Sequence, residues 1–233
     1  MDIAELKKQI AYKAVDTLVH SNMKLGLGTG STAIWVSRRI GELLKNGMLS
    51  NIMAVPTSLA TRIECEVQGI PVVSLSNPAL GGRLDLTIDG ADEIDPEHRL
   101  IKGGGGAQLR EKICAYASDD FAVVADAGKL VKQLGITFPV PVEVIPEALY
   151  TASEALESLG GRPKLRMGTT IAGPAFTEHG NLILDTSFDG IGDPVSLEKE
   201  INLITGVVEN GIFTCPVGHL IIGNPDGSVT HTA

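Results

Sequence analysis

The chain is short of several things, and each shortage excludes a class of function. Among its 233 residues, 19 Lys and Arg stand against 28 Asp and Glu, for a formal net charge of −9. A nucleic-acid surface needs clustered cations, so that partner is not expected. A small anionic substrate is not excluded, because it feels a few local cations and helix N-termini more than the whole-molecule sum. No window approaches the roughly 20 apolar residues of a membrane span. Lys7, Lys8 and Lys13 interrupt the first segment, where Leu6, Ile10, Ala14 and Leu18 recur at helical spacing, so no secretory leader is expected. Cys65, Cys114 and Cys215 are odd in number, far apart and without metal-ligand spacing. They read as small buried apolar residues of a reducing compartment, which predicts a cytoplasmic protein. His20, His98, His179, His219 and His231 are scattered and form no legible Ser-His-Asp arrangement. There is no repeat, low-complexity segment or charge run.

What is present describes a globular protein: 43% hydrophobic and 20% charged residues, enough chain for one large domain or for one domain with a smaller companion. The first half alternates helix and strand signals. Helices are expected at about 3–20 and 31–45, from about Ser58, and at 107–117. Strands are expected at 24–28, 52–55, 71–75, 84–88, 99–101 and 121–125. This alternation predicts an α/β fold, a Rossmann-like, mostly parallel sheet with helices on both faces. After Pro139 and Pro141 the pattern changes to strand 142–145, helix 146–159, strands 164–167 and 181–185, helix 196–201 and strand 207–213. That order predicts a smaller ferredoxin-like α+β domain, a split βαβ unit. The apolar strand 218–223 is expected to return to the first sheet. The predicted domains are 1–134 plus 215–233, and 135–214.

Three motifs carry the chemistry. Gly26-Leu27-Gly28-Thr29-Gly30-Ser31-Thr32 lies where a strand gives way to a helix, and its bare amides, Ser31 and Thr32 hydroxyls and helix N-terminus suit a phosphate. Gly28-x-Gly30-x-x-Ala33 also fits a loose dinucleotide fingerprint, but Ile52–Ser58 lacks the acidic residue that this reading needs. A ligand-free turn with Ser31 as helix cap is the third alternative. Asp89-Gly90-Ala91-Asp92-Glu93 follows a strand, at the end where open α/β sheets bind ligands. Its three carboxylates repel one another, which favours a usable acid. A metal is the rival, with only His98 nearby as a further ligand type. Lys102-Gly103-Gly104-Gly105-Gly106 is not a Walker loop, because the Lys precedes the glycines, but its amides can form an oxyanion site beside the Lys. Glu111, between Arg110 and Lys112, reads by default as a solvated carboxylate. Leu109, Ile113 and Tyr116 mark the expected buried stripe, and Glu111 points elsewhere, with the cleft as one option.

Taken in order along nearly the whole chain, these motifs closely resemble the type A ribose-5-phosphate isomerase family. The resemblance also rests on Arg110-Glu111-Lys112, Pro141–Pro146, Leu159–Pro163 and Gly206-Val207-Val208. It implies an aldose-ketose isomerase of the non-oxidative pentose phosphate branch, interconverting D-ribose 5-phosphate and D-ribulose 5-phosphate through an enediolate, with neither metal nor redox cofactor. It implies Glu111 as general base, Asp89 in ring opening, and Asp92 and Lys102 with the glycine amides as stabilisers of the enediolate. Lys7, Thr29, Gly30, Ser31, Thr32, Gly90, Ala91, Gly103, Gly104, Gly105 and Lys129 are the implied substrate contacts, and a homodimer or homotetramer the implied assembly. Two departures stand out: four glycines follow Lys102 where many relatives have three, and Gln108 occupies a position where a small or apolar residue is common. The alternative is a non-enzymatic sugar-phosphate sensor, which would have no need of Glu111 and would be expected to carry a DNA-binding module.

Overall fold

In the computed structural model, which describes residues 2–170 and 172–233, the chain opens with α1 (Ile3–Leu18). The Asp2 carboxylate accepts from the Ala4 amide at 3.4 Å, and Leu6, Ile10, Ala11, Ala14 and Val15 form the buried stripe. There follow β1 (Lys24–Leu27), α2 (Ala33–Lys45), β2 (Met53–Pro56), α3 (Leu59–Gln68), β3 (Leu84–Asp89), β4 (Glu93–Ile94) and β5 (Leu100–Ile101). Next come α4 (Gln108–Tyr116), β6 (Ser118–Asp126), β7 (Val140–Val144), α5 (Leu149–Ser158), β8 (Arg162–Leu165) and β9 (Leu182–Ser187). The chain closes with α6 (Pro194–Asn202), β10 (Val207–Asn210), β11 (Ile212–Phe213), β12 (His219–Gly223) and β13 (Val229–Thr232).

These elements form two compact units. The first comprises Met1–Ala91, Arg110–Lys129 and Cys215–Ala233, and the second Asp92–Leu109 and Leu130–Thr214. The first unit holds a sheet in the order β13-β12-β6-β3-β1-β2, parallel except for the antiparallel β12–β13 pair. Leu25, Leu27, Leu86, Ile88, Ala122, Val124 and Ile221, which alternate along their strands on one face of the sheet, are buried with residues of α1, α2 and α3. The segment 218–223 does return to this sheet, as β12 beside β6. The expected strand 71–75 does not form. Val72 alone bridges Ala54, after which the chain turns, with the Asn77 amide on the Ser74 carbonyl. Pro71 has no N–H to extend a ladder.

The second unit is built on an antiparallel sheet in the order β10-β7-β9-β8, with the element sequence β7-α5-β8-β9-α6-β10 of the predicted split βαβ pattern. Val140, Val142, Val144, Leu156, Leu184 and Ile201 fill its core. The expected strand 207–213 is broken in two. Gly211 donates to the Pro141 carbonyl at 2.8 Å, and a Cβ there would lie 2.2 Å from the Lys102 carbonyl oxygen, so only glycine permits the crossing. Beyond it β11 joins a separate three-stranded sheet, β11-β5-β4, that leads directly into Lys102.

Candidate active site

In the first unit, β1 and β3 end side by side, with the Gly28 amide on the Ile88 carbonyl at 3.0 Å. Asp89, the last residue of β3, has no exposed surface, and its Oδ1 accepts from the amides of Thr29 at 3.1 Å and Gly90 at 2.7 Å. These two amides fix the orientation of the carboxylate. The Thr29 hydroxyl enters a network with Thr57 at 2.8 Å, Ser58 at 2.7 Å and Thr61 at 3.1 Å, and Thr61 donates to the Gly28 carbonyl at 2.9 Å. Thr29 therefore braces the loop. Gly30 and Ser31 are exposed, and Lys7 Nζ donates to Ser31 Oγ at 2.8 Å, which brings two expected substrate contacts together. The cap position of α2 is Thr32, not Ser31, and its side chain makes no capping bond. In the first turn the Ile34 and Trp35 amides already donate to the Gly30 and Thr32 carbonyls, at 3.0 and 3.1 Å. Lys129 ends a short 3-10 turn after β6. The segment before it borders a cavity of about 210 Å³, with Leu6, Asp126, Gly128 and Gly223 in its wall.

Helix α4 reverses the expected stripe. Ile113 and Tyr116 are 46% and 51% exposed, whereas Gln108, Glu111 and Lys112 are buried, Glu111 to 4%. The polar face of this helix is thus the buried one. Arg110 anchors the helix through a bond from Nη2 to the Pro56 carbonyl at 3.0 Å. Glu111 stands in the first turn, where the helix dipole favours its negative charge. Three positions farther along the helix, burial pushes the Cys114 thiol up to about 12; the charge of Asp89 raises it further, Arg110 opposes, and Glu111 adds to the rise. Both carboxylates thus act electrostatically on one thiol.

In the second unit Lys102 follows β5 and is 2% exposed, its Nζ 5.4 Å from the centroid of the Phe213 ring and its amide on the Gly211 carbonyl at 2.9 Å. The glycine run closes into a turn through the Gly106 amide and Gly103 carbonyl at 2.9 Å. Asp92 Oδ2 accepts from the Gly104 amide at 2.8 Å. The acidic run does not act as one cluster. Glu93 is fully buried and takes four short bonds, from the amides of Gly135, Thr137 and Phe138 and the Thr137 hydroxyl, at 2.6–2.7 Å. Among the described residues, no group of three or more His, Cys, Asp or Glu side chains could hold a metal ion, and no helix is long and apolar enough to cross a membrane.

The sequence reading missed two features. One is the hydroxyl set Thr57, Ser58 and Thr61, whose signal was three hydroxyl residues at a strand-to-helix junction. The other is Arg166, which donates from Nη1 to the carbonyls of Gly103 and Gly104, 3.2 Å each. Arg166 is itself held by Asp185 through Nε at 2.8 Å and Nη2 at 2.5 Å.

Residues 53–227 match the family described as ribose 5-phosphate isomerase A (phosphoriboisomerase A). The ribose-5-phosphate isomerase A of Treponema denticola is 50% identical over 98% of this chain and 99% of its own length, and that of Thermosynechococcus vestitus is 48% identical over 96% of each. Among solved structures, the isomerase A of Methanocaldococcus jannaschii superposes with a TM-score of 0.91 at 42% identity over 98% of both chains. A D-ribose-5-phosphate isomerase in complex with phospho-erythronic acid superposes at 0.93, with 41% identity, over 100% of this chain and 99% of that one. Neither the family match nor these relatives support the binding-only alternative.

Proposed function

The chain belongs to the ribose 5-phosphate isomerase A family, and on that premise we propose that it interconverts D-ribose 5-phosphate and D-ribulose 5-phosphate with Glu111 as the base. Asp89 assists ring opening, which takes the proton from the anomeric hydroxyl and delivers one to the ring oxygen. In the open aldose, the Glu111 carboxylate removes the C2 proton, the C1–C2 double bond forms, and the negative charge moves onto O1. A proton passes from O2 to O1, and the Glu111 acid then protonates C1 to give the ketose. One carboxylate serves both carbons, so no proton is exchanged with a second side chain at carbon.

Lys102, Asp92 and the amides of Gly103, Gly104 and Gly105 stabilise the enediolate, where a fixed cation and fixed dipoles act only once charge develops. Asp92 stands three residues after Asp89, so chain length alone keeps their Cα atoms within about 11 Å. Lys7, Thr29, Gly30, Ser31, Thr32 and Lys129 hold the phosphate end, and Gly90 and Ala91 line the passage to the sugar, which orients the reacting carbons. This reading assigns no metal and no redox cofactor. It carries a homodimer or homotetramer in the cytoplasm, with the subunit number read by sedimentation.

The observation that supports it most is the burial of both Asp89 and Glu111, each of which raises the Cys114 thiol through its charge. A protein that only binds has no use for a sequestered second carboxylate. The test is ribulose 5-phosphate formation by chelator-treated protein beside Glu111→Gln. Turnover that survives chelation and falls at least about 1,000-fold in the variant is expected, since the base acts in the transition state. Near-normal turnover of the variant would refute Glu111 as base.

A further inference from the structure

We propose that Arg166, locked by Asp185, is a positioning residue of this reaction: it turns the Gly103–Gly104 and Gly104–Gly105 peptides so that the Gly104 amide holds Asp92 and the Gly105 amide, not a carbonyl, is offered to the enediolate. The proposal rests on the isomerase reading for what those amides serve. It stands on the geometry of the second unit alone.

Two of the guanidinium's donor nitrogens are engaged by Asp185, at 2.8 and 2.5 Å, which fixes its plane. The remaining nitrogen, Nη1, sits between two consecutive carbonyls, those of Gly103 and Gly104, at 3.2 Å from each. A trans peptide directs its C=O and its N–H to opposite sides. Holding both carbonyls on the cation therefore sends the amides of Gly104 and Gly105 the other way. The Gly104 amide confirms the sense by meeting Asp92 Oδ2 at 2.8 Å. A cation on the carbonyl oxygen also polarises the peptide and strengthens its N–H as a donor.

The run needs such a clamp because its residues have little conformational preference of their own. Gly103 sits at φ +100°, and a Cβ there would lie 2.8 Å from the Gln108 Cβ. At Gly104 a Cβ would lie 2.9 Å from Asp92 Oδ1. Glycine is thus required for the path, which one internal bond, from the Gly106 amide to the Gly103 carbonyl, and several external ones hold. Arg166 comes from a segment some 60 residues later, and it supplies two of them. Lysine could supply the charge but not the planar fork that spans a carboxylate and two carbonyls.

The experiment compares Arg166→Met, Arg166→Lys and Asp185→Asn with wild type and Glu111→Gln. It measures kcat, KM for ribose 5-phosphate, thermal unfolding, and affinity for phospho-erythronic acid, whose carboxylate stands in for the enediolate oxygens. Loss of preorganised donors predicts that kcat of Arg166→Met falls about 100-fold with KM within about threefold, and that analogue affinity falls by a similar factor. Arg166→Lys recovers part of kcat, and Asp185→Asn falls between it and wild type. Folded Arg166→Met with wild-type kcat overturns the proposal. So does a lower unfolding temperature with analogue affinity unchanged, which is the mark of a merely structural pair. Should Arg166→Met not fold, the Lys and Asn variants carry the same comparison. If Glu111→Gln keeps its turnover, the assigned base fails instead, and the analogue titration of the Arg166 variants decides the clamp by itself.

Discussion

Gly28→Ala should be among the most damaging single-methyl additions in the first unit. The added Cβ would lie 2.0 Å from Asp89 Oδ1, 2.2 Å from Cγ and 2.6 Å from the Asp89 Cα. The last of these is backbone, so no rotamer relieves it, and β1 and β3 must part where they carry the loop. Overpacking of this kind costs about 1–3 kcal/mol. Parting the strands also breaks the bond from the Thr29 amide to the Asp89 carboxylate, and bonds to charged groups contribute about 1.5–3 kcal/mol. The sum, about 4 kcal/mol, is a large share of a typical stability of roughly 5–15 kcal/mol. For a chain of this size it corresponds to a fall in Tm of about 10 °C. Gly47→Ala is the control: its φ is +70° and no atom lies within 4 Å, so only the left-handed backbone is taxed, by about 1 kcal/mol. Calorimetry of both variants at one scan rate checks the reasoning. A Gly28→Ala protein melting no lower than Gly47→Ala would refute it.

Two further outcomes follow from the same contacts. Burial pushes the thiols of Cys65 and Cys114 up to about 11 and about 12, and burial with the bond to Glu42 pushes Tyr12 up to about 12. In each case the folded pKa lies above the unfolded one, so the stabilisation is complete below about pH 9 and is lost as pH rises towards 12. The Tm should therefore fall steadily above pH 9, and a flat profile to pH 11 would contradict the burial of these groups. Ser31→Ala removes the acceptor of the Lys7 ammonium and a hydroxyl of the loop, and should raise KM about tenfold with kcat nearly unchanged; steady-state kinetics showing an unchanged KM would remove Ser31 from the phosphate site.

Much of the first unit was legible in the sequence because its strands are buried on both faces and read as continuous apolar runs, as at Phe121–Ala125. The strand-helix-strand-strand-helix-strand order of the second unit was legible for a related reason, since period and punctuation are local properties. Segment 207–213 shows the limit. Its ends are strand formers, Asn210-Gly211 between them is a local break signal, and the approach of the Lys102 carbonyl to Gly211 shows that two sheets share the segment. Helix α4 shows a deeper limit. Pattern reading takes apolar positions as buried, and here Ile113 and Tyr116 face outward while Glu111 and Lys112 face inward. Nothing local announces this, because a polar side chain is buried only for partners supplied from elsewhere in the chain.

That dependence on distant partners also separates the carboxylates that sequence shows as one acidic run. Glu93 and Asp92 are neighbours with the same chemistry in prospect. Glu93 spends both oxygens on donors 42–45 positions away, three backbone amides and a hydroxyl, and with its acceptor sites so engaged it works as a post for the 135–138 loop. Asp92 holds a glycine amide at its outer oxygen and keeps partial exposure. Asp89 is oriented through one oxygen by two amides. The distribution of donors, and not the count of acids, sets Glu93 apart as scaffold, and the proposed reading gives the chemistry to Asp89, Asp92 and Glu111.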